Sequence, residues 1–151
     1  MAANDSPPAS PAAGTSEPTA PGAMALLARA RAGIERLSPQ EALAEQGAGA
    51  LIVDVRTEAH RRSAAHIPGA LVIDLTVLPW RLDPAFAWRI PEARSLDQRW
   101  IIVCRHGYSS ALAAFSLRQM GLHRAADIDG GFEAWAAAGL PLTHEPADVR
   151  E

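Results

Sequence analysis

The chain has 151 residues, of which 48% are hydrophobic, and carries a formal net charge of −3. This length suits one domain, which can bury its own core without disulfides or a structural metal. The slight acidity argues against nucleic acid or an anionic membrane as a partner. The single cysteine excludes an intramolecular disulfide and argues against a cysteine-based zinc site. No segment approaches the ~20 apolar residues that span a membrane. The chain has arginine but no lysine and is rich in alanine, which is typical of a GC-rich bacterial genome, and we expect a cytoplasmic protein.

The two ends of the chain differ in composition from its middle. Residues 1–23 are mostly Ala, Pro, Ser and Thr with almost no large apolar side chain, so they cannot bury enough surface to offset the entropy of ordering. They also lack the basic start and apolar run of a signal peptide. We predict a disordered tail over residues 1–23, a single domain over residues 24–145 and a flexible C-terminus over residues 146–151. Met24, where the patterned part begins, is an alternative translation start.

The first patterned segments are helical. Residues 24–36 have apolar side chains near helical spacing, and a short extended piece follows at residues 34–37. Ser38 is the predicted cap of a second helix, with Pro39 in its first turn and Glu41 completing a capping box. This helix is predicted to end near Gly47.

Short apolar segments then alternate with helical ones. Buried strands are predicted at residues 50–55, 71–74, 100–103 and 125–128. Helices are predicted at residues 57–63, 109–120 and 132–138, a helical or irregular stretch follows the second strand up to residue 83, and residues 84–98 are predicted as a loop with one short helix. Strands that alternate with helices predict an α/β fold, in which helices cover both faces of a parallel sheet.

The cysteine lies where one of these strands ends. Cys104 opens the stretch CRHGYSS, which follows an apolar strand and leads into a helix. Open α/β sheets hold their ligands at the carboxyl ends of the strands. Successive N–H groups of such a loop form an anion nest, and the helix start adds about half a positive charge. We therefore expect the pKa of Cys104 to lie below the free value of about 8.5. A lone cysteine is more often a buried apolar residue, but this position favours a nucleophile.

The residues after the cysteine form the candidate anion-binding loop: Arg105, His106, Gly107, Tyr108, Ser109 and Ser110. The arginine and the histidine add donors, and the glycine permits a positive φ or the close approach of a ligand. The serines offer hydroxyls to the pocket or cap the helix. Tyr108 and Phe132 are candidates for the rim of the pocket.

Four pieces of the chain resemble the rhodanese-like domains, in the order that this family has them. They are LIVDVR at residues 51–56, AHIPGA at 65–70, CRHGYS at 104–109 and DGGFEAW at 129–135. Each motif alone is weak, but four in order, with the cysteine at a strand end, are strong. The resemblance covers roughly residues 34–141. It implies a five-stranded parallel sheet flanked by helices on both faces.

The resemblance also implies a reaction, that of a thiosulfate sulfurtransferase, with Cys104 as the catalytic residue. The Cys104 thiolate would attack the outer sulfur of thiosulfate, mercaptopyruvate or a persulfide and become a persulfide itself. A thiol or other nucleophile, either a small molecule or a protein, would then take that sulfur. No cofactor and no metal is expected. In this superfamily, six residues from the cysteine to the end of the loop accompany sulfur transfer, and seven accompany dual-specificity phosphatases; residues 104–109 are six.

One residue departs from the family pattern. Ser109 stands where the family usually has an arginine, so a guanidinium that would hold an anionic donor is missing. Loops ending in His-Gly-x-Ser-Ser resemble a subset of short, single-domain rhodaneses, which argues against an inactive protein. Arg105 is a partial replacement for the missing arginine.

Charged residues outside the loop are weaker candidates. Asp54 and Arg56 end a buried strand, and we favour a structural role over a role with substrate. Arg81 lies in a stretch that could approach the pocket mouth, and it is a candidate second anion contact. His66 is expected to fix a turn by hydrogen bonding, whereas His106 is equally consistent with a solvent-facing and a catalytic role.

Two other functions fit the same residues less well. One is a regulatory or partner-binding rhodanese module without independent turnover, and the intact cysteine and loop argue against it. The other is phosphatase or arsenate-reductase chemistry. The short loop argues against the phosphatase, and the absence of a second, resolving cysteine argues against the reductase.

Overall fold

The computed structural model describes residues 20–151, which form one α/β unit. Residues 1–19, most of the predicted disordered tail, lie outside the described residues. The helices are α1 (Ala23–Ala32), α2 (Pro39–Gly47), α3 (Glu58–Arg62), α4 (Leu78–Leu82), α5 (Ser109–Gln119) and α6 (Gly131–Ala137). The strands are β1 (Glu35–Leu37), β2 (Leu51–Asp54), β3 (Leu71–Val72), β4 (Trp100–Val103), β5 (Ala126–Ile128) and β6 (Asp148–Val149). No helix within residues 20–151 has the length and apolar character needed to cross a membrane.

All strands belong to one parallel sheet in the order β1-β5-β4-β2-β3-β6. The central strand β4 is buried along its whole length, and its successive side chains point to opposite faces of the sheet. Trp100 and Ile102 pack with residues of α4 and α5 on one face. Ile101 and Val103 pack with residues of α2 and α6 on the other. The predicted α/β class with helices on both faces is therefore confirmed.

The predicted number of strands, five, is wrong by one. The sixth strand, β6, comes from residues 146–151, for which we predicted a flexible C-terminus. Its two residues are exposed and pair with β3, and the Arg150 N–H donates to the Val72 carbonyl at 2.8 Å. The Arg150 guanidinium also pairs with Glu92 at 2.8 Å. Since β6 has no apolar run, tertiary partners alone define it, and the local sequence contains no signal for it.

The start of α2 follows the predicted capping signal. Ser38 Oγ accepts the N–H of Glu41 at 3.1 Å, and Pro39 lies in the first turn. The box differs in one detail, because the Glu41 carboxylate accepts a hydrogen bond from the Ser38 hydroxyl, at 3.1 Å. The helix ends at Gly47, as predicted, and its Ala42 packs in the same core layer as Ile52 of β2.

Residues 84–98 contain turns, and the short helix predicted there is absent from this described segment. The Gln98 side chain accepts the N–H groups of Arg94 and Ser95 and donates to the Glu92 carbonyl. Such side-chain bonds compete with helical hydrogen bonds, and Pro91 lacks an N–H donor altogether. The segment is thus held by side-chain-to-backbone contacts that a pattern of apolar residues does not reveal.

The order of the strands determines which residues meet at the carboxyl ends of the strands. β4 lies between β5 and β2, so the segments that follow these three parallel strands emerge side by side. They begin with Cys104 after β4, Asp129 after β5 and Val55 after β2. This is the edge at which α/β sheets hold their ligands.

Candidate active site

Cys104 begins the loop between β4 and α5 and is only 4% exposed. The loop turns back over the thiol at Gly107, whose φ is +85°, a conformation that side chains disfavour. This turn aims the Gly107 N–H at Cys104 Sγ, 3.1 Å away. A Cβ at position 107 would lie 3.0 Å from both Arg36 Nη2 and the backbone nitrogen of Gly130. Glycine is therefore needed both for the direction of the N–H and for space.

The surroundings of the sulfur favour its ionised form. Cys104 Sγ lies 3.2 Å from Ser110 Oγ. Burial by itself raises the pKa of Cys104, because a thiolate loses hydration inside the protein. Hydrogen bonds from the Ser110 and Ser109 hydroxyls and from the N–H groups of Ser110 and Gly107 outweigh burial, so the pKa lies below its ordinary value. The thiolate is the form of cysteine that attacks an electrophile.

An ion pair between a buried aspartate and a partly buried arginine lies behind the loop, and neither residue was predicted from the sequence. Asp127 of β5 is fully buried, and its Oδ2 accepts the Ser110 hydroxyl at 2.9 Å. Arg36 of β1 donates to both carboxylate oxygens of Asp127, at 3.0 and 3.1 Å. The available signal was an aspartate in the middle of a buried strand, since such a charge requires a partner. The identity of that partner is a matter of tertiary structure.

The glycines at the start of α6 allow this helix to support the Cys104 loop. The N–H groups of Phe132 and Glu133 donate to the Cys104 and Arg105 carbonyls, at 2.8 and 3.1 Å. Gly131 directly precedes these two residues with φ of +65°, and a Cβ there would be 2.6 Å from both the Cys104 and the Arg105 carbonyl oxygen. The DGGFEAW motif thus brings a helix start directly against the loop. Trp135, which ends the motif, is fully buried in the core.

Three residues of the predicted loop face solvent. Arg105 pairs with Glu133 at 3.3 Å, and both side chains are about half exposed. His106 is exposed. The Tyr108 ring is also exposed and lies 5.5 Å from the Arg31 guanidinium. These side chains form the mouth of the site rather than its floor.

Asp54 and Arg56 form a buried ion pair at 2.8 Å and make no hydrogen bond to Cys104. Arg56 also donates to the Ala65 carbonyl at 3.0 Å, and its guanidinium lies 3.7 Å from the centre of the Phe132 ring. The pair therefore ties β2 to the turn before β3 and to α6. Its contacts are those of a structural pair.

Arg81 and His66 lie outside the immediate surroundings of the sulfur. Arg81 donates to the Trp88 carbonyl and so closes the turn region that follows α4. The backbone of His66 exchanges hydrogen bonds with Thr143, at 2.8 and 2.9 Å. Burial lowers the pKa of His66, and the Arg56 charge adds to that effect. Among the described residues, no group of three or more His, Cys, Asp or Glu side chains is placed to hold a metal ion.

A model of the rhodanese-like domain matches residues 38–138 of the chain. The chain belongs to the rhodanese-like domain family. Among curated relatives, the thiosulfate sulfurtransferase GlpE of Stutzerimonas stutzeri is 37% identical over 101 residues, covering 67% of this chain and 84% of that protein. The thiosulfate sulfurtransferase GlpE of Pseudomonas entomophila is 39% identical, with the same coverage.

Solved structures agree with the rhodanese fold. A protein of unknown function from Rhodopseudomonas palustris, described as a possible tyrosine phosphatase, has a TM-score of 0.74 and 34% identity, covering 82% of this chain and 95% of that one. A thiosulfate sulfurtransferase from Pseudomonas aeruginosa has a TM-score of 0.57 and 20% identity, covering 78% of this chain and 21% of that one, and it supports the fold alone. The predicted family and fold are confirmed. Together with the curated relatives they support sulfurtransferase activity, and they do not favour a rhodanese module without turnover.

Proposed function

We propose that this rhodanese takes a sulfane sulfur from thiosulfate onto Cys104 and passes it to a thiol or another nucleophile. The observation that carries the proposal is the environment of Cys104 Sγ, which lies at a strand end with N–H and O–H groups converging on it. The names of the curated relatives support thiosulfate as the donor. Small persulfides carry the same kind of sulfane sulfur and are alternative donors. Mercaptopyruvate is another, from which the attack would break a C–S bond and release the enolate of pyruvate.

The proposed reaction has two displacement steps at sulfur. In the first, the Cys104 thiolate attacks the outer sulfur of thiosulfate, an S–S bond forms, and the S–S bond of the donor breaks as sulfite leaves with the electron pair. In the second, a thiolate or another nucleophile attacks the outer sulfur of the Cys104 persulfide, and Cys104 leaves as a thiolate. Dividing one transfer into two easier steps is the advantage of covalent catalysis.

The loop would hold the negative charge that both steps place on sulfur. Gly107 donates from its backbone, and Ser109 and Ser110 add hydroxyls at the start of α5. Preorganised donors of this kind stabilise a developing anion without reorganising during the reaction. We propose that Arg105 and His106, which face solvent at the mouth, meet the sulfonate group of the donor.

The acceptor would approach beside α5. A groove of about 240 Å³ runs from Ser109 along the side chains of Leu75, Leu78 and Leu112. We propose that the thiol acceptor, a small molecule or a protein, enters from this side. A cytoplasmic location would suit the reaction, because the cytosol keeps acceptor thiols reduced.

Mass spectrometry of the intact protein tests the proposal. After incubation with thiosulfate, we expect the protein to gain the mass of one sulfur, and we expect cyanide or dithiothreitol to remove it. Cys104→Ser should abolish both the gain and the turnover. Gln119→Ala, an exposed change near the end of α5, serves as the control and should load normally. Failure of thiosulfate, mercaptopyruvate and glutathione persulfide alike to load Cys104 would contradict sulfur transfer.

The description of the Rhodopseudomonas neighbour makes phosphatase activity the second candidate. The loop of this chain has six residues from Cys104 to Ser109 and no arginine at its end. An anionic phosphoryl group would therefore lack the guanidinium that usually binds it bidentately. Assay with an aryl phosphate separates the two functions, because turnover that depends on Cys104 would favour the phosphatase.

A further inference from the structure

Two arginines from outside the loop converge on one of its carbonyl groups. Arg31 of α1 and Arg36 of β1 each donate to the Gly107 carbonyl oxygen at 3.1 Å. A carbonyl oxygen accepts two hydrogen bonds, and both donors here are charged, which makes each bond stronger than one between neutral groups. The orientation of this peptide group is therefore held by two charged donors.

The held carbonyl determines where the next N–H points. In a planar trans peptide, the carbonyl and the following N–H point in opposite directions. With the Gly107 carbonyl turned towards Arg31 and Arg36, the Tyr108 N–H points away from them. The Gly107 N–H, which belongs to the preceding peptide group, faces Cys104 Sγ. The arginines therefore fix the peptide group next to the one that donates to the sulfur.

Arg36 is also connected to Cys104 Sγ by hydrogen bonds that pass through Asp127 and Ser110. Its guanidinium binds Asp127 through both carboxylate oxygens and Asp129 at 2.8 Å. Asp127 accepts the hydroxyl of Ser110, which is the neighbour of Cys104 Sγ. Because Ser110 has a single hydroxyl proton, the carboxylate and the thiolate compete for it. The positive charge of Arg36 weakens the hold of Asp127 on that proton.

We propose that Arg36 is a positioning residue of the active site. It acts on the sulfur of Cys104 through the Gly107 peptide and through the Asp127–Ser110 pair. It supplies, from the first strand, a fixed positive charge behind a loop whose last position, Ser109, carries none. The space beside Gly107 fits this role, since a Cβ at position 107 would lie 3.0 Å from Arg36 Nη2. The inference rests on Cys104 being the reactive group of the proposed function.

Alkylation of Cys104 by iodoacetamide, measured against pH, tests the proposal. In Arg36→Gln we expect the pKa of Cys104 to rise, because a nearby positive charge is lost and Asp127 retains the Ser110 proton. At a pH below both pKa values, the alkylation rate should fall roughly threefold to tenfold. In Asp127→Asn the pKa should fall or stay the same, because a nearby negative charge is removed and Ser110 is released. A general loosening of the site would move the two variants in the same direction, which would overturn the proposal.

Arg99→Gln is the matched control for Arg36→Gln. Arg99 also neighbours β1 and binds two carboxylates, Glu35 and Glu45, and its side chain is 10% exposed against 19% for Arg36. It makes no contact with the loop, so its loss should leave the pKa of Cys104 unchanged. Arg36→Lys keeps the charge but has one nitrogen in place of the three that bind Gly107, Asp127 and Asp129, so in this variant the pKa of Cys104 should lie between those of the wild type and Arg36→Gln. A pKa of Cys104 fully restored by lysine would show that the planar fork of hydrogen bonds adds nothing to the charge and would overturn positioning.

If Arg36→Gln does not fold because the buried Asp127 carboxylate has lost its partner, a double variant takes its place. The double variant Arg36→Gln, Asp127→Asn replaces the ion pair by two neutral amides, and circular dichroism shows whether each variant is folded. In this variant Gly107 loses one of its two donors, so we expect slower alkylation than in Asp127→Asn. Equal rates in the two would overturn the proposal. Alkylation needs no sulfur donor, so its outcome is independent of whether thiosulfate loads Cys104.

Discussion

Ser110 lies between the Cys104 sulfur and the buried Asp127 carboxylate. Its hydroxyl lies 3.2 Å from Cys104 Sγ and 2.9 Å from Asp127 Oδ2. A hydroxyl can donate to only one of them at a time, so the state of the sulfur and the direction of the Ser110 proton are linked. This makes Ser110 the most direct control on the pKa of Cys104.

Replacement of Ser110 by alanine should raise the pKa of Cys104. The variant loses the first of the hydrogen bonds that outweigh burial, while the sulfur stays buried. We expect alkylation at neutral pH to slow by roughly tenfold, which corresponds to about one pKa unit. Gln119→Ala, an exposed change near the end of the same helix, controls for general effects on α5. An unchanged alkylation profile in a folded Ser110→Ala protein would contradict this role.

The lowered pKa of Cys104 also predicts how stability depends on pH. The folded protein holds the thiol proton less tightly than the unfolded chain, whose cysteine has a pKa of about 8.5. The stabilisation from the thiolate is therefore fully present above about pH 8.5 and is lost as the pH falls through the lower, folded pKa. Denaturant unfolding of wild type and Cys104→Ser across this window should show the difference in free energy of unfolding growing with pH. A difference that shrinks with rising pH would contradict a stabilised thiolate.

The contact between α6 and the Cys104 loop requires a residue without a side chain at position 131. Gly131 brings the first N–H groups of α6 against the Cys104 and Arg105 carbonyls. The helix thereby holds the loop in place from the side opposite to α5. Gly130 leaves room for Ala134 of α6, and Gly131 leaves room for the Cys104 and Arg105 carbonyls, so the two glycines are needed for both the helix and the loop.

Gly131→Ala and Gly139→Ala separate backbone strain from this contact. Both glycines have positive φ, of 65° and 69°, but a Cβ at Gly139 meets nothing within 4 Å. We expect Gly139→Ala to lower the free energy of unfolding by about 1–2 kcal/mol, which is the cost of the left-handed conformation. Gly131→Ala should cost clearly more, ~3 kcal/mol or above, because its Cβ would clash with two backbone carbonyl oxygens, and it should also reduce sulfur loading of Cys104. Equal stability losses in the two variants would contradict the close contact.

Cys104 and the short strand β6 lie in different parts of the sheet. Cys104 follows the central strand β4, whereas β6 lies at the edge and pairs with β3. An edge strand as short as β6 is held by few backbone bonds, and the ion pair of Arg150 with Glu92 supports it. Stability and activity should therefore be separable in this part of the molecule.

Arg150→Ala should weaken the edge without affecting the site. It removes a partly buried ion pair, and we expect a loss of roughly 1 kcal/mol in the free energy of unfolding with normal sulfur loading. Arg62→Ala removes a pair with Glu58 in which both side chains are mostly exposed, and its effect should stay within about 0.5 kcal/mol. If Arg150→Ala loaded poorly at full stability, the edge would have a role in catalysis that its position does not suggest.

The strands and helices could be predicted where apolar residues recur with the period of a helix or form a continuous run. β4 was predicted at its observed bounds because a strand buried on both faces is a continuous apolar run, and α2 was predicted from its cap. The strand β6 and the turns at residues 84–98 were not, because their partners are distant backbone groups and an amide side chain. Cys104 was predicted as the reactive residue from its place at a strand end, whereas Arg36 and Asp127 were missed.

The sequence by itself determined the fold class and the family and predicted the position of the nucleophile, since apolar runs, caps and loop motifs are local. Only the tertiary structure decided what surrounds the sulfur. Arg36 and Asp127 are 91 residues apart, and they meet because β1 pairs with β5 beside β4. Pairing between distant strands follows from the packing of the whole sheet, so the charge behind the Cys104 loop becomes visible only when the sheet is assembled.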